Sequence, residues 1–201
     1  MTPNATKFPL LYLPCLALEN VLSNFDHLDR FEFSTCSKRC KRVVKSLRHG
    51  RIEIDVQLNH RLTSVTLSSG RNLNEYTWFH FCNEPGCSNH QSLTLNGRTI
   101  RMKKASSKLL NNSKCVCFYC SGGLTVNTKA LVNHLVEIFR VPIRILRFDM
   151  DGLVNYRDYV QCFSKCDDLR ICGVGAISEE DLTYLEEHVE HTHFYINGNL
   201  Q

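Results

Sequence analysis

The hydrophobic period of the chain changes at residue 51. In the first 50 residues, apolar side chains recur every three to four positions, which is typical of amphipathic helices. The segment RIEIDVQL (51–58) then alternates strictly between apolar and polar residues, which predicts a half-buried strand. From residue 125, helix-like and strand-like segments take turns. The sequence therefore predicts an α+β fold: an N-terminal three-helix module, a small antiparallel β region and a short array of alternating strands and helices.

The run LYLPCLALENVL (11–22) is nearly all apolar, and its place near the N-terminus raises the question of a secretory signal. Pro14 interrupts the run, Pro9 lies just before it, and no small-residue cleavage site follows it, which argues against a signal. A helix beginning near Pro14 fits better, because the missing N–H of proline does no harm in the first turn. Leu16 lies off the predicted core-facing stripe of this helix, so its apolar surface is wider than one core contact needs. That stripe is Leu18, Val21, Leu22 and Phe25.

Two further amphipathic helices follow. Asp26 is predicted to cap the second, and Ser34 or Thr35 to start the third. Three short helices form only a marginal core by themselves, so their surplus apolar surface predicts burial against a partner. The apolar positions of the third helix are Cys36, Cys40, Val43, Val44 and Leu47. Its basic face consists of Lys38, Arg39, Lys41, Arg42, Lys45 and Arg48.

The segment LPCLALENVLSNFDHLDRFEFSTCSKRCKRVVKSL resembles an F-box. Leu13–Pro14 matches the Leu-Pro that opens the family's motif, and the residues after it match the family's three helices in order. Two positions differ from the family pattern: Cys36 stands where Val is usual, and Cys40 stands where Trp is usual. The resemblance implies a three-helix module over residues 7–50.

An F-box implies a module that docks on the Skp-type adaptor protein of an SCF-type cullin–RING E3 ubiquitin ligase, a complex that marks substrate proteins for degradation. The loss of the aromatic at Cys40 leaves open how well this chain docks. The residues that the resemblance implies for adaptor binding are Leu13, Pro14, Leu16, Leu18, Val21, Leu22, Leu28, Phe31 and Ser37.

The middle of the chain, residues 51–124, is predicted to be a small antiparallel β region. Asn96–Gly97 separates two strand-like halves of residues 92–102 and is a strong hairpin signal. The polar segment 103–114 is predicted to be an exposed loop. The other predicted strands are 51–58, 62–69, 75–82 and 116–119.

Cysteine and histidine residues in this region form a possible zinc site that competes with a structural interpretation. Their spacings, C-x4-C and then C-x-C-x2-C, fit a zinc ribbon poorly, so core or incidental thiols are favoured and no metal or cofactor is predicted. The chain has 11 Cys, an odd number, which favours reduced thiols in the cytoplasm or nucleus. The residues in question are Cys82, Cys87, His90, Cys115, Cys117 and Cys120.

The last third, residues 125–201, contains three strand-like segments that align with one another. ILRFDMDG, DLRICGVG and HFYINGNL are centred about 25 residues apart, a period within the range of leucine-rich repeats. A helix is predicted over 128–139, with Asn127 or Thr128 as its cap, and another over 155–166. Because each connection holds a helix, the strands are predicted to be parallel. An ordinary α/β layer with coincidental spacing is the alternative.

Residues 51–201 as a whole resemble the type 2 F-box-associated region of nematode F-box proteins, on their layout and on stretches such as FRVPIRILRFDMD. The resemblance implies a region that recognises a substrate protein. The domain organisation predicted from the sequence is therefore an F-box-like domain at 7–50 and a substrate-recognition region at 51–201.

Charge and motifs limit the remaining function classes. Residues 1–150 hold 21 Lys/Arg against 10 Asp/Glu, whereas residues 151–201 hold 3 against 10, so the two parts favour different partners. No phosphate loop, nucleophile elbow, zinc-protease motif or dinucleotide fingerprint is present, so an enzyme is not predicted. The leading hypothesis is a ubiquitin-ligase substrate adaptor with an unknown substrate and no membrane partner. The alternative is a basic, zinc-containing nucleic-acid-binding protein, which the sequence disfavours.

Overall fold

The computed structural model describes residues 10–60, 63–69, 72–82, 91–106, 114–119, 123–153, 156–173 and 177–197. A 3-10 turn at Leu10–Tyr12 precedes the helices and strands. The helices are α1 (Cys15–Ser23), α2 (His27–Cys36), α3 (Lys38–Ser46), α4 (Leu124–Phe139), α5 (Tyr156–Val160) and α6 (Glu179–His188). The strands are β1 (Ile52–Leu58), β2 (Thr63–Ser69), β3 (Asn72–Cys82), β4 (Gln91–Leu95), β5 (Arg98–Ser106), β6 (Lys114–Tyr119), β7 (Ile143–Asp149), β8 (Asp168–Cys172) and β9 (His193–Asn197).

The described strands form one mixed sheet in the order β4-β5-β6-β3-β2-β1-β7-β8-β9. The predicted β region is antiparallel except at β3 and β6, which pair in parallel. The predicted parallel arrangement of the last three strands is confirmed, and β1 pairs in parallel with β7. The two regions predicted at 51–124 and 125–201 therefore share one sheet, while the leucine-rich-repeat character of the second stays a prediction.

Helices α2 to α6 contribute buried side chains to one face of this sheet. Alternate strand residues such as Ile54, Phe79 and Leu146 join Leu135 of α4 and Leu185 of α6 in a single hydrophobic cluster. None of the strand side chains that point the other way belongs to that cluster. No described helix therefore covers the opposite face, which we call the open face.

The β4–β5 hairpin agrees with its sequence signal. Asn96 and Gly97 have φ values of 49° and 81°, the two left-handed positions of a tight turn that Asn-Gly favours. The predicted loop at 103–114 is wrong over 103–106, because β5 continues to Ser106 along β6. Residues 107–113 of that segment lie outside the described residues.

Two predicted helix starts are wrong. Ser34 lies buried inside α2, and the third helix begins at Lys38, where the Ser37 hydroxyl accepts a hydrogen bond from the Cys40 N–H at 3.0 Å. Helix α4 begins at Leu124, four residues earlier than predicted. The N-cap residue is Gly123, which has no side chain to cap the helix. The local sequence therefore does not mark the start of α4. The helix predicted over 155–166 is shorter and consists of Tyr156–Val160.

Candidate functional site

The N-terminal turn and α1 place the Leu13–Pro14 pair at the start of a helix. Pro14 occupies the N-cap position, and its carbonyl accepts the N–H of Leu18 at 2.9 Å. The N–H of Leu13 donates to the carbonyl of Leu10 at 3.2 Å, which closes the 3-10 turn. Tyr12, at the end of this turn and next to the beginning of α1 in the chain, is exposed.

Four residues form an exposed apolar surface, which we call the docking surface: Tyr12, Pro14, Leu16 and Val21. The exposed fractions of the Tyr12 and Leu16 side chains are 80% and 76%, and that of Val21 is 37%. Burial of apolar area stabilises a complex by about 25 cal/mol per Å². A group of exposed apolar side chains therefore marks an interaction site. Sequence reasoning missed Tyr12, although its place beside Leu13–Pro14 was a usable signal.

The nine residues predicted for adaptor binding divide into two groups. Pro14, Leu16, Val21 and Ser37 are exposed, and Leu13 is half-buried. The hydroxyl of Ser37 is already used to cap α3. The other four residues are buried inside the protein, so any part they take in docking is to hold the helices in position. They are Leu18 and Leu22, which pack near Leu47, and Leu28 and Phe31, which join the main core.

Arginine side chains fix the turn and α1 from α2 and α3. Arg39 Nη2 donates to the carbonyl of Leu11 at 3.0 Å, and its guanidinium lies 5.5 Å from the centroid of the Tyr12 ring. Arg30 donates to the carbonyls of Leu22 and Ser23 at 3.3 Å and 2.8 Å, where the negative end of the α1 dipole favours a cation. The docking surface is thus held in place before any partner binds.

Comparison with known proteins gives one match. Residues 10–51 match the F-box domain family. We refer to residues 10–51 as the F-box domain after this match. A search of curated proteins and a search of solved structures each gave no match.

The match supports the interpretation of this chain as an F-box protein. F-box proteins in general are substrate adaptors of SCF ubiquitin ligases rather than enzymes. F-box domains bind Skp-type adaptor proteins, and F-box proteins are typically cytoplasmic or nuclear. Within the described part of the chain, no helix has the length and apolar character needed to cross a membrane.

The basic face of α3 is partly used inside the molecule. Lys41 Nζ lies 2.7 Å from a carboxylate oxygen of Glu137 on α4, and Lys45 Nζ lies 3.6 Å from the other oxygen. The hydrogen bond from Lys41 lowers the pKa of the Glu137 carboxyl. Because these contacts join α3 to α4, fewer cations of this face are free for phosphates, and the nucleic-acid hypothesis stays an untested prediction.

The F-box domain packs directly on the sheet and on α4. Ser34 Oγ lies 2.7 Å from His134 Nε2 in a buried hydrogen bond, and the Phe31 ring lies 5.1 Å from that of Phe79 on β3. Burial lowers the pKa of His134 to about 4, so the imidazole is neutral at pH 7. The His49 ring contacts Phe139 with ring centroids 5.0 Å apart. These contacts hold the docking surface in one orientation relative to the sheet.

The cysteines of the proposed zinc site are only partly described. Cys115 and Cys117 are half-buried on β6 and point away from buried Val116 and Phe118, as the strand pattern predicts. Among residues the structure describes, no group of three or more potential metal ligands is found. Cys87, His90 and Cys120 lie outside the described residues, and the side chain of Cys82 does too, so the zinc alternative is untested.

Proposed function

We propose that this chain is the substrate-recognition adaptor of an SCF-type cullin–RING E3 ubiquitin ligase. The F-box domain would dock a Skp-type adaptor through Tyr12, Pro14, Leu16 and Val21, and residues 51–201 would hold a substrate protein. The observation that carries the proposal is the 76% exposure of Leu16 beside Leu13–Pro14, within the residues that match the F-box domain. An apolar side chain this exposed on an otherwise packed helix is accounted for by a partner.

The contribution of such an adaptor to catalysis is proximity. Holding the substrate beside the ubiquitin carrier raises its effective concentration without any chemistry by the adaptor itself. This requires a defined orientation between the docking surface and the substrate region. The Ser34–His134 hydrogen bond and the Lys41–Glu137 ion pair supply it, because each joins the F-box domain to α4.

The buried position of Cys40 supports a docking contact that does not involve its side chain. Its side chain is 4% exposed, and its sulfur accepts a hydrogen bond from Ser37 Oγ at 3.1 Å. The change from the usual Trp therefore lies in the interior of the F-box domain. Docking would depend on Leu16 and its exposed neighbours instead.

The remaining parts of the proposed function rest on the order and pairing of the strands and helices. Strands β7 to β9 are parallel and have helices between them, which supports a leucine-rich-repeat-like array. The same pattern supports the likeness of residues 51–201 to the type 2 F-box-associated region of nematode F-box proteins. An F-box domain at 7–50 and a recognition region at 51–201 are the corresponding domains. We expect the protein to act in the cytoplasm or nucleus.

A pull-down with a purified Skp-type adaptor tests this function. The wild-type chain should retain the adaptor, and Pro14→Ala/Leu16→Asp should lose it, because a carboxylate at position 16 would be buried in an apolar contact without a partner. Val126→Asp is the control, since Val126 is also an exposed apolar residue, at 39%, and lies on α4 rather than in the docking surface.

The control should retain the adaptor as the wild type does. Absence of wild-type binding, with the circular dichroism spectrum of a folded chain, would overturn the proposed function. Equal loss of binding in Val126→Asp and in the Leu16 variant would show that the docking surface is misplaced.

A further inference from the structure

The open face of the sheet presents unpaired positive charge. Its described carboxylates are all held by neighbours in the chain: Arg144 contacts Glu53 and Asp55 at 3.0 Å and 2.6 Å, and Asn59 donates to Asp149 at 3.2 Å. Asp168 contacts Arg170 and His193. By contrast, Arg101, Lys103 and Arg147 are exposed and form no ion pair in the described part of the chain. These cations are therefore available to bind acidic groups of a partner.

Two arginines of this face lie side by side. Arg147 on β7 and Arg170 on β8 occupy paired positions on neighbouring parallel strands, so their Cα atoms are about 4.8 Å apart. Like charges opposite each other on a sheet are destabilising unless an anion offsets them. Asp168 contacts Nη2 of Arg170 at 3.0 Å, but the buried Nε of Arg170 has no hydrogen-bond partner. The pair can donate several N–H groups to one additional carboxylate.

Further binding groups lie along the same row of the sheet. The register continues from Arg147 through Gln57 and His80 to Lys103, and on the other side from Arg170 to Tyr195. Tyr195 is 48% exposed, and the guanidinium of Arg170 lies 5.3 Å from its ring centroid.

We propose that the open face is the surface that holds the substrate, and that it recognises an acidic segment of the substrate protein. This inference rests on the proposed function and adds the chemistry of the partner. Arg147 and Arg170 would bind one carboxylate, and Lys103 a second. These two positions are separated by five strand spacings, about 24 Å, so an extended peptide would need its acidic residues about seven positions apart.

A protein segment fits this face better than a nucleic acid. A phosphate backbone needs closely spaced cations, whereas the row between Lys103 and Arg147 is filled by uncharged groups, among them Gln57 and Ser64. The acidic residues of α6 do not interfere with either partner, because that helix belongs to the covered side of the sheet.

Peptide display on the full chain tests the inference. A library of random 16-residue peptides is panned on the wild type and on Arg147→Ala/Arg170→Ala. Peptides enriched only by the wild type should carry Asp or Glu. In a synthetic copy, replacing the decisive acid by its amide should weaken binding about tenfold or more, the loss expected for a charge-assisted contact. Arg147→Glu should recover affinity for the same peptide with Lys at that position.

Arg48→Ala is the matched control, since Arg48 is an exposed arginine of the F-box domain. It should bind the selected peptides as the wild type does, and all variants should keep the wild-type circular dichroism spectrum. The inference is overturned if no peptide is enriched, if enrichment does not depend on an acid, or if the double variant enriches the same peptides. Binding of a 12-nucleotide single strand that is lost in the double variant, without acidic peptides, would assign the face to nucleic acid instead.

The adaptor pull-down separates this inference from the proposed function. If Arg147→Ala/Arg170→Ala retains the Skp-type adaptor and no acidic peptide is selected, only the inference fails. If acidic peptides bind but the wild type does not retain the adaptor, the proposed function fails and the open face remains a site for acidic peptides.

Discussion

Cys40 shows how a single interior residue can be mistaken for a determinant of binding. It is buried between α3 and the rest of the F-box domain, where a small side chain fits. Replacing it by the Trp usual in the family adds a large ring to a packed site. We expect Cys40→Trp to lower the free energy of unfolding by about 1–3 kcal/mol through overpacking. Urea denaturation measures this, with Cys36→Trp at an exposed position as the control.

The control should change stability by less than about 0.5 kcal/mol, as surface substitutions usually do. Should Cys40→Trp instead be neutral or stabilising, the interior around residue 40 must rearrange to accept an aromatic ring. The usual family residue would then fit here as well.

His134 gives the fold a specific dependence on pH. Its pKa is lowered to about 4 by burial, with a further contribution from Lys41, whereas the unfolded chain has the ordinary value near 6.5. Between these values the unfolded chain binds a proton that the folded chain does not bind. The free energy of unfolding should therefore fall as pH drops from about 6.5 to 4, by about 1.4 kcal/mol per pH unit from this residue.

Comparison of the wild type with His134→Gln isolates this contribution, because an amide can still bond Ser34 but does not titrate. Urea denaturation at several pH values between 7 and 4 should show a slope smaller by about one proton in the variant. Thr183→Ala removes an exposed side chain of α6 that does not titrate, and it should keep the wild-type slope. Parallel curves for the wild type and His134→Gln would mean that the His134 site admits a proton when folded.

Among the elements, the β4–β5 hairpin depends most directly on one backbone position. Gly97 has a φ of 81°, which a side chain at this position would strain. We expect Gly97→Ala to lower the free energy of unfolding by about 1 kcal/mol. Gly50→Ala is the control, because no atom lies within 4 Å of the added methyl and the backbone is not in the left-handed region. The measurement is again urea denaturation.

For Gly50→Ala we expect no loss of stability, or a gain of about 0.4–1 kcal/mol from the lower entropy of the unfolded chain. Equal losses in both variants would contradict a special role for the turn.

Elements with a local signal were predictable from the sequence, and elements defined by distant contacts were not. The alternation in 51–58, the Asn96–Gly97 turn and the aspartate cap at Asp26 each appear where predicted. The parallel pairing of β3 with β6 was not predictable, because periodicity carries no information on which strands meet. The sequence predicts Ser34 or Thr35 as a cap because nothing local reveals the buried contact of Ser34 with His134.

The candidate site divides in the same way. Leu16 could be placed outside the core from the helical period alone, and its exposure agrees with that prediction. The burial of Leu28 and Phe31 depends on contacts with a sheet formed by residues 52–197, so the sequence of the helices could not indicate it. The arginine pair of the open face was also hidden, since Arg147 and Arg170 become neighbours only through strand pairing.

At the scale of the whole molecule, the F-box domain does not possess a complete core. Leu18, Leu22 and Leu47 form a small cluster, whereas Phe31 and Val44 belong to the core of the sheet. Removing the sheet and α4 would leave these two side chains and the Ser34 hydrogen bond without partners. We therefore expect the helices and the sheet to unfold as one cooperative unit.

Two probes and one truncation test this cooperativity. The far-ultraviolet circular dichroism of the helices and the fluorescence of Trp78, the single tryptophan, should report one shared urea midpoint. Phe31→Ala should shift both probes together by about 3–5 kcal/mol, because Phe31 packs on Phe79 of β3, while Leu16→Ala at an exposed position should shift neither appreciably. A peptide of residues 10–51 should show little helix by itself, since three short helices without their sheet contacts are too small to be stable. Separate midpoints for the two probes, or a stably helical peptide, would mean that the F-box domain is an independent folding unit and that its contacts with α4 only orient it.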